Sequence, residues 1–245
     1  MDFSGIDRSS VVGRVLRAPL ALIPDGARMR VLQGALRGKT WIAGAHSHGC
    51  WLGSYEHDKQ QLFTALVKTG AVVYDVGAKA GFYTLLASEL VGPSGHVVAF
   101  EVQPRELRYL RAHVRLNGLE NVTVLELAVG DGPGALTLSS TVNGHQGTPI
   151  EVGDRKVRKT SLDALVGSCA LPPPDFITMT LEDGELEALR GAREVLTRHR
   201  PTVLLATHDA EVHQACMEEL RAIGYGLQSI DGRPLDRTHE LLARA

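Results

Sequence analysis

Two apolar runs, joined through a turn that carries two glycines, constrain the fold of this chain more than any other feature. The first run stops at an acid, Asp75, just before Gly77 and Gly81, and the second run ends at Glu101. Glycine has no Cβ, so a turn built on it lets backbone approach a small ligand closely. A strand, a glycine turn, a helix, a strand and an acid together form the nucleoside-binding half of a Rossmann-like sheet.

The spacing of this turn bears on which nucleoside it holds. A dinucleotide fingerprint needs three glycines in the pattern G-x-G-x-x-G, whereas this turn has two, with Ala78 and Ala80 between them. Asp75 would repel a pyrophosphate but suits a cation. S-adenosylmethionine (SAM) carries an ammonium and a sulfonium and no phosphate, so the turn favours SAM over a nicotinamide cofactor. An ordinary βαβ unit with a tight turn is the alternative.

The composition is typical of a soluble globular protein. The chain has 245 residues, 44 % hydrophobic and 22 % charged, with a net charge of −2, which gives no electrostatic reason to expect nucleic acid as a partner. Its 3 cysteines are widely spaced and odd in number, which favours a reducing cytoplasm over a disulfide framework. No apolar stretch approaches the ~20 residues that span a bilayer. The start of the chain lacks a basic region, so we expect neither a secretion signal nor integral membrane association.

The N-terminal part of the chain differs from the rest. Residues 1–57 are expected to form a cap, with a helix at residues 11–17 and two short strands at residues 29–36 and 39–43. The helix is basic and amphipathic, which would suit a membrane surface, but it is short and closed by prolines. Packing against the rest of the protein is the favoured interpretation. Residues 58–245 are expected to form one domain.

From about residue 58, helical and strand patterns alternate. This predicts an α/β fold with a doubly wound, mostly parallel Rossmann-like sheet. The predicted strands lie at residues 71–76, 96–101, 121–127, 175–181 and 202–207, with the segment 225–230 completing the pattern. The predicted helices lie at residues 59–69, 81–90, 104–117, 185–190, 193–198 and 209–223. Residues 130–150 are expected to form a hairpin. Ligands of such sheets bind at the carboxyl ends of the strands.

Motifs at these strand ends occur in an order that resembles a known family. They include His48–Glu56, Asp75–Thr84, Glu101–Pro104 and the segment Gly-Glu-Leu-Glu-x-Leu-Arg-Gly-Ala within residues 175–192. The chain thereby resembles the FkbM-type SAM-dependent methyltransferases over most of its length. The resemblance implies a class I methyltransferase fold and methylation of hydroxyl oxygens, commonly on sugars or natural products.

The resemblance also implies a set of cofactor-binding positions around the glycine turn. The acid of the turn would steer the methionine ammonium through water, Glu101 would bind the ribose, and the segment after the third strand would lie beside the adenine. The expected cofactor-binding residues are Asp75, Gly77, Ala78, Gly81, Tyr83, Glu101, Gln103, Glu56, Tyr55 and Ala128.

Three departures from the family pattern affect the expected chemistry. Lys79 stands where the family usually has asparagine, and it adds a positive charge beside a cationic cofactor unless it points to solvent or pairs with an acid. Thr178 and Thr180 replace a lysine and an aspartate at the fourth strand, and Thr207 replaces an acid before the last histidine. The cofactor assignment depends less on these positions than the catalytic assignment does.

The expected catalytic residues are His208 and Glu182. Methyl transfer to a hydroxyl needs alignment and removal of a proton, and imidazole exchanges protons near neutral pH. Glu182 could instead hold the substrate hydroxyl. The alternatives are structural: His208 could cap the following helix, while Glu182 and Glu185 could be acids favoured at a helix N-terminus.

Three other polar clusters are less informative about function: one of histidine and cysteine, and two of basic residues. His46, His48, Cys50 and His57 do not match a structural zinc spacing, so we expect no metal there and favour substrate-facing or packing roles. Two basic groups, one on the helix after Glu101 and one at residues 155–159, fit solvated surfaces, although the second could receive an anionic substrate. The arginines of the first group are Arg105, Arg108, Arg111 and Arg115.

Taken together, the sequence predicts a SAM-dependent O-methyltransferase in the cytoplasm. Its acceptor is expected to be a hydroxyl of a small molecule, natural product or sugar, and a homodimer is possible. Two alternatives keep SAM: a different reaction such as cyclisation or transfer to another atom, or a SAM-binding protein that has lost catalysis. A nicotinamide oxidoreductase is less favoured because the third glycine is missing.

Overall fold

The structure, a computed structural model, describes residues 20, 22–143 and 149–245, without the side chains of residues 139–143 and 149–154. The helix expected at residues 11–17 and the tip of the expected hairpin lie outside the described residues. Within the described part of the chain, no helix is long and apolar enough to cross a membrane.

The described residues form twelve strands and eight α-helices. The strands are β1 (Arg28–Arg30), β2 (Thr40–Ile42), β3 (Val72–Val76), β4 (His96–Phe100), β5 (Val122–Leu125), β6 (Ala128–Val129), β7 (Gly134–Asn143), β8 (Pro149–Thr160), β9 (Phe176–Thr180), β10 (Thr202–Ala206), β11 (Gly226–Ser229) and β12 (Glu240–Arg244). The helices are α1 (Gly49–Leu52), α2 (His57–Leu66), α3 (Phe82–Val91), α4 (Pro104–Leu116), α5 (Leu162–Gly167), α6 (Glu185–Arg190), α7 (Arg193–His199) and α8 (Ala210–Ala222).

Seven strands form the central sheet, in the order β11-β12-β10-β9-β3-β4-β5. Neighbouring strands are parallel except at β12, which runs antiparallel to both β10 and β11. This is the doubly wound, mostly parallel sheet that the sequence predicts. The chain order reverses between β3 and β9, and open α/β sheets bind their ligands at such a reversal.

The strand β12 is absent from the elements that the sequence predicts, of which the segment 225–230 is the last. Residues 240–244 form a short run near the end of the chain, and no helix separates them from β11 in the manner of a βαβ unit. The structure inserts them between β10 and β11, with Ala206 opposite Glu240. This pairing brings Glu240 to the end of the sheet at which the parallel strands have their carboxyl ends.

Both faces of the sheet are covered by helices, as a parallel sheet requires. Alternate residues of each strand therefore enter two separate apolar clusters. Val73 and Phe176 pack on one face with residues of α2 and α3. Tyr74 and Ile177 pack on the opposite face with residues of α6, α7 and α8.

The end of α2 corrects one sequence expectation. The sequence predicts a helix at residues 59–69 closed by Gly70, but α2 ends at Leu66, and Val67 is already extended. Gly70 does adopt a left-handed backbone, with φ of 82°, and its N–H donates to the carbonyl of Val91. The glycine therefore shapes the entry to β3 rather than the end of the helix.

The N-terminal segment is hydrogen-bonded to α4 through β2. The Thr40 N–H donates to Oδ1 of Asn117 (2.7 Å), and the Ile42 N–H donates to Nε2 of His113 (2.9 Å). Nδ1 of His113 lies 2.7 Å from the carbonyl oxygen of Ala80 and donates to it. His113 therefore links the segment to the loop after β3. The division at residue 57 stays a prediction.

Candidate active site

The loop after β3 lies directly beside the end of the neighbouring strand β9. Gly77 has a φ of 77°, and a Cβ at this position would overlap the carbonyl oxygen of Thr180. Gly81 has a φ of 92°, and a Cβ there would collide with Leu110 of α4. The N–H groups of Gly77 and Ala78 each donate to the carbonyl of Phe100 at 3.0 Å. These contacts hold the loop at the point where the chain order of the sheet reverses.

Glu101, at the end of β4, is held by three backbone donors. One carboxylate oxygen accepts from the Lys79 N–H at 2.6 Å, and the other accepts from the N–H groups of Val102 and Gln103 at 2.7 Å each. Burial raises the pKa of Glu101, and these backbone hydrogen bonds oppose that rise. An ionised carboxylate has about four acceptor positions, so three donors orient it and leave room for a ribose hydroxyl.

Asp75 is buried beneath the loop and is only 4 % exposed. It accepts a hydrogen bond of 2.5 Å from the hydroxyl of Thr84 on α3, and it lies in register with Thr178 of β9. Burial raises the pKa of Asp75 to about 7; the charge of Glu101 adds to this rise, while Thr84 and the charge of Lys59 oppose it. The carboxylate is thus placed in a site that favours a cationic neighbour.

Lys79 adopts a left-handed backbone with a φ of 49°, which is uncommon for a residue with a Cβ. Asparagine tolerates this conformation better than lysine does, which gives a backbone reason for the family preference at this position. Among the described residues, the half-buried Lys79 side chain makes no ion pair. Burial lowers the pKa of His46, and the nearby charge of Lys79 contributes to that lowering.

An acid and two tyrosines form one wall of the site, beside the start of α3. The Tyr83 hydroxyl donates to Glu56 at 2.8 Å, and Lys59 lies 3.5 Å from the same carboxylate. Burial alone would raise the pKa of Glu56, but Lys59 and the hydroxyls of Tyr55 and Tyr83 together lower it. Glu56 itself has a strained φ of 44°. The structure brings Tyr55, Glu56 and Tyr83 together, and their expected place in the cofactor pocket stays a prediction.

Lys59 and Glu240 belong to this wall, and sequence reasoning missed both. Lys59 is only 6 % exposed, and its Nζ lies 2.5 Å from Glu240 and 5.4 Å from the centre of the Tyr83 ring. No local pattern signals this pair, because 181 residues separate its members along the chain. A buried, paired lysine next to the loop contributes a fixed positive charge opposite Glu56.

A carboxylate and an imidazole meet at the ends of β9 and β10. Glu185, in the first turn of α6, is 2 % exposed, and its Oε1 lies 3.2 Å from Nδ1 of His208. The His208 side chain is 48 % exposed, and within the described part of the chain Nε2 has no hydrogen-bond partner. Glu182 is exposed and makes no hydrogen bond or ion pair with a described residue. The pairing gives Glu185 a specific contact in addition to its place at a helix N-terminus.

The threonine departures fall at two kinds of position. Thr207 is buried, and its hydroxyl lies 2.7 Å from Nδ1 of His213, whose Nε2 donates to the carbonyl of Leu235 at 2.8 Å. Thr207 is therefore part of the packing under α8. Thr178 is buried beside Asp75, where it replaces a charge with a hydroxyl.

The histidines of the cluster near residue 50 each have a different hydrogen-bond partner. His46 lies 3.2 Å from the Tyr55 hydroxyl, His48 accepts from the indole N–H of Trp51 at 3.1 Å, and His57 lies 2.9 Å from Gln61. Cys50 is fully buried. Among the described residues, no group of three or more histidine, cysteine, aspartate or glutamate side chains is placed to hold a metal.

The two remaining expected cofactor residues lie at the far side of Glu101. Gln103 is exposed at the residue before α4, and only its N–H is engaged with Glu101. Ala128 is buried in β6, where it pairs with Lys159 of β8. The residues around the loop fit SAM: Asp75 supplies a buried carboxylate at β3, Glu101 supplies an oriented carboxylate after β4, and glycine allows close backbone approach.

Known methyltransferases share this architecture. A family model described as the methyltransferase FkbM domain matches residues 75–227, which is well over half of the chain. A crystal structure of a methyltransferase FkbM from Methylobacillus flagellatus KT is similar, with a TM-score of 0.51 and 17 % identity over 76 % of this chain and 50 % of that chain. A SAM-dependent O-methyltransferase from Thermotoga maritima has a TM-score of 0.51 and 14 % identity over 93 % of this chain and 80 % of that chain. At these identities the likeness concerns the fold, and it confirms the predicted class I methyltransferase fold.

Curated relatives match a shorter part of the chain. Ribosomal protein L11 methyltransferase from Caldanaerobacter subterraneus subsp. tengcongensis is 36 % identical over 76 residues, covering 30 % of this chain and 24 % of the relative. Protein-L-isoaspartate O-methyltransferase from Ignicoccus hospitalis is 40 % identical over 68 residues, covering 28 % of this chain and 31 % of the relative. Each match thus spans less than a third of the relative's length.

Proposed function

Because this chain belongs to the FkbM methyltransferase family, we propose that it transfers a methyl group to a hydroxyl oxygen of a small molecule, natural product or sugar. The family and the donor SAM are those predicted from the sequence, and the chain is a SAM-dependent methyltransferase. Transfer to oxygen, rather than to another atom, is the finer step of the proposal. The contact between Glu185 and His208 is the observation that supports it most.

The proposed base is His208 at Nε2. Nδ1 lies 3.2 Å from the buried carboxylate of Glu185, so a proton on Nδ1 is donated to that carboxylate. This hydrogen bond leaves Nε2 unprotonated in the neutral imidazole and able to accept a hydroxyl proton. Nε2 would accept the proton of the acceptor hydroxyl, while bound SAM would supply the methyl group by cleavage of its S–CH3 bond and would leave as S-adenosylhomocysteine. Glu185 stabilises the imidazolium that results, while exposed Glu182 is proposed to hold the acceptor hydroxyl.

When bound, SAM supplies an electrophilic methyl group on its sulfonium. We propose that Asp75 and Glu56 provide the negative charge for its methionine end, while Glu101 and Gln103 orient the ribose and Ala128 lies beside the adenine. Gly77, Ala78, Gly81, Tyr55 and Tyr83 would form the walls of this site. Asp75 and Glu101 are only 4 % and 5 % exposed, so both carboxylates are shielded from bulk water.

Three further points are proposed on sequence grounds. Within the described residues, all three cysteines are free thiols, which fits a cytoplasmic location. We propose a small molecule or a glycan as the acceptor, and the net charge of −2 gives no electrostatic reason to expect a nucleic acid instead. A homodimer stays a prediction.

The experiment that tests this function follows formation of S-adenosylhomocysteine by mass spectrometry. The protein is incubated with SAM and a panel of phenols, alcohols and sugars. The expected result is acceptor-dependent product, with the rate reduced roughly 10²- to 10⁴-fold by His208→Ala, as removal of a general base typically does. His199→Ala is the matched control, because this exposed histidine precedes the amino end of β10, whereas His208 follows its carboxyl end. An unchanged rate in His208→Ala would exclude His208 as the base.

A further inference from the structure

Two basic groups that are far apart in the sequence meet beside β5. Arg108, Arg111 and Arg115 of α4 and Arg155 of β8 line one cavity of about 380 Å³, which we name the arginine groove. The remaining arginine of the helix, Arg105, turns away and donates to the carbonyl of Gly44 at 2.5 Å. The stripe expected from the sequence is therefore divided, and three of its members face the groove.

The charge of the arginine groove is strongly unbalanced. Glu126 is the one carboxylate that lines it, at 3.3 Å from Arg111 and also paired with Arg155. Arg108 and Arg115 form no ion pair within the described part of the chain. Four guanidinium groups thus face one carboxylate in a chain whose net charge is −2. Local clustering of positive charge on a chain of negative net charge favours an anionic ligand over a merely solvated face.

The shape of the groove selects among anions. Arg108 and Arg115 are seven residues apart on α4, which corresponds to about 10 Å along the helix axis. Guanidinium groups bind phosphate oxygens through paired N–H donors. A row of this length can contact two or three linked phosphates, whereas a single phosphate reaches only part of it. Apolar residues Pro104, Leu107 and Ala112 complete the lining.

We propose that the arginine groove binds an oligophosphate group, as a second ligand site of this protein. The groove lies at the β5 edge of the sheet, whereas His208 follows β10. Four strand spacings separate β5 from β10, which is about 19 Å at ~4.8 Å per spacing. The groove is thus set apart from the proposed point of methyl transfer, and its occupancy can be measured without SAM.

Isothermal titration of the full chain with inorganic tripolyphosphate, at low salt and without SAM, tests the proposal. We expect one saturable binding event that weakens as salt is raised. The double variant Arg108→Gln, Arg115→Gln removes two guanidinium groups that have no ion pair, so it should bind at least about 10-fold more weakly. Glu126→Gln removes the competing carboxylate and should tighten binding.

Arg198→Gln is the matched control, because Arg198 is an exposed arginine on α7 outside the groove, and it should leave the affinity unchanged. A parallel titration with ATP separates two sources of the same chemistry. Tighter binding of ATP that is weakened in the double variant indicates a nucleoside polyphosphate in the groove, and equal binding of both probes indicates that the phosphate chain suffices. Absence of saturable binding to both probes, or equal affinity in wild type and the double variant, would overturn the proposal. Circular dichroism of each variant shows whether the fold is intact.

Discussion

The carboxylate of Glu185 lies 3.2 Å from Nδ1 of His208, and the two side chains differ sharply in exposure. Glu185 is almost fully buried, whereas about half of the His208 side chain is accessible to solvent. A buried acid behind an accessible imidazole fixes the ring orientation and leaves the outer nitrogen open. This is the arrangement expected of a base and its positioning residue, although the pair is 23 residues apart in sequence.

Glu185→Gln is therefore expected to lower kcat while leaving the KM for SAM unchanged. The loss should be roughly 10- to 100-fold, since hydrogen bonds to charged groups contribute about 1.5–3 kcal/mol and each 1.4 kcal/mol is tenfold. Steady-state kinetics over a range of pH measures both constants. Glu185→Asp should restore part of the rate. A variant that loses stability but keeps kcat and the pH profile of wild type would show that Glu185 is only structural.

Asp75→Asn should raise the stability of the protein while weakening its binding of SAM. Burial raises the pKa of Asp75 to about 7 from an ordinary value of 3.8, so the folded state holds this proton more tightly than the unfolded state. The contribution of Asp75 to stability therefore falls as pH rises between these values, by about 4 kcal/mol. Urea unfolding at pH 8 should show Asp75→Asn to be more stable than wild type, because the amide oxygen can still accept from Thr84.

The same variant should bind SAM more weakly in calorimetry, since the negative charge beside the loop is gone. Asp236→Asn is an exposed control that should change neither property. If Asp75→Asn bound SAM as tightly as wild type at pH 8, the proposed role of Asp75 toward the cation would be wrong.

His113 should contribute to stability with the opposite pH dependence. Burial lowers the pKa of His113 to about 4 from 6.5, although the Ala80 carbonyl opposes the shift. The unfolded chain takes up this proton first as pH falls, so the contribution is complete above pH 6.5 and is lost toward pH 4, by about 3 kcal/mol. Protonated Nε2 could no longer accept the Ile42 N–H.

Urea unfolding of His113→Gln between pH 4 and pH 7 tests this account. The effects of Asp75 and His113 largely cancel in wild type, so each variant should expose the slope due to the other residue. His113→Gln should lose stability as pH rises through this range, and Asp75→Asn should gain it. His57→Gln, at an exposed histidine, should follow wild type. If wild type and all three variants showed the same dependence of stability on pH, the pKa shifts assigned to Asp75 and His113 would be wrong.

Lys79→Asn should stabilise the protein by roughly 0.5–1 kcal/mol, because asparagine tolerates the left-handed backbone that Lys79 adopts. Thermal and urea unfolding measure the gain, and Lys68→Asn, an exposed lysine substitution outside the positive-φ positions, should not reproduce it. Loss of the Lys79 charge should also raise the pKa of His46, observable by NMR titration. A fall in stability would show that the lysine side chain offsets the backbone strain.

The local parts of the fold were predictable from the sequence, and the long-range parts were not. The strand ends at Asp75 and Glu101 follow from apolar runs and glycine turns, and both acids lie where those patterns place them. Lys59 meets Glu240 only because β12 inserts beside β10, a pairing that carries no periodic signal. The left-handed backbone of Lys79 could not be predicted for a different reason. A glycine in a turn indicates a positive φ, whereas a lysine does not.

The position of the methyl group in the product tests the proposed function most directly. SAM labelled with ¹³C in its methyl group is incubated with the protein and an acceptor that supports turnover, and the product is examined by ¹³C NMR. We predict a methyl carbon bonded to oxygen, formed in wild type and in His199→Ala and strongly reduced in His208→Ala. A label found on nitrogen, carbon or sulfur, or a rearranged product without the label, would contradict transfer to a hydroxyl.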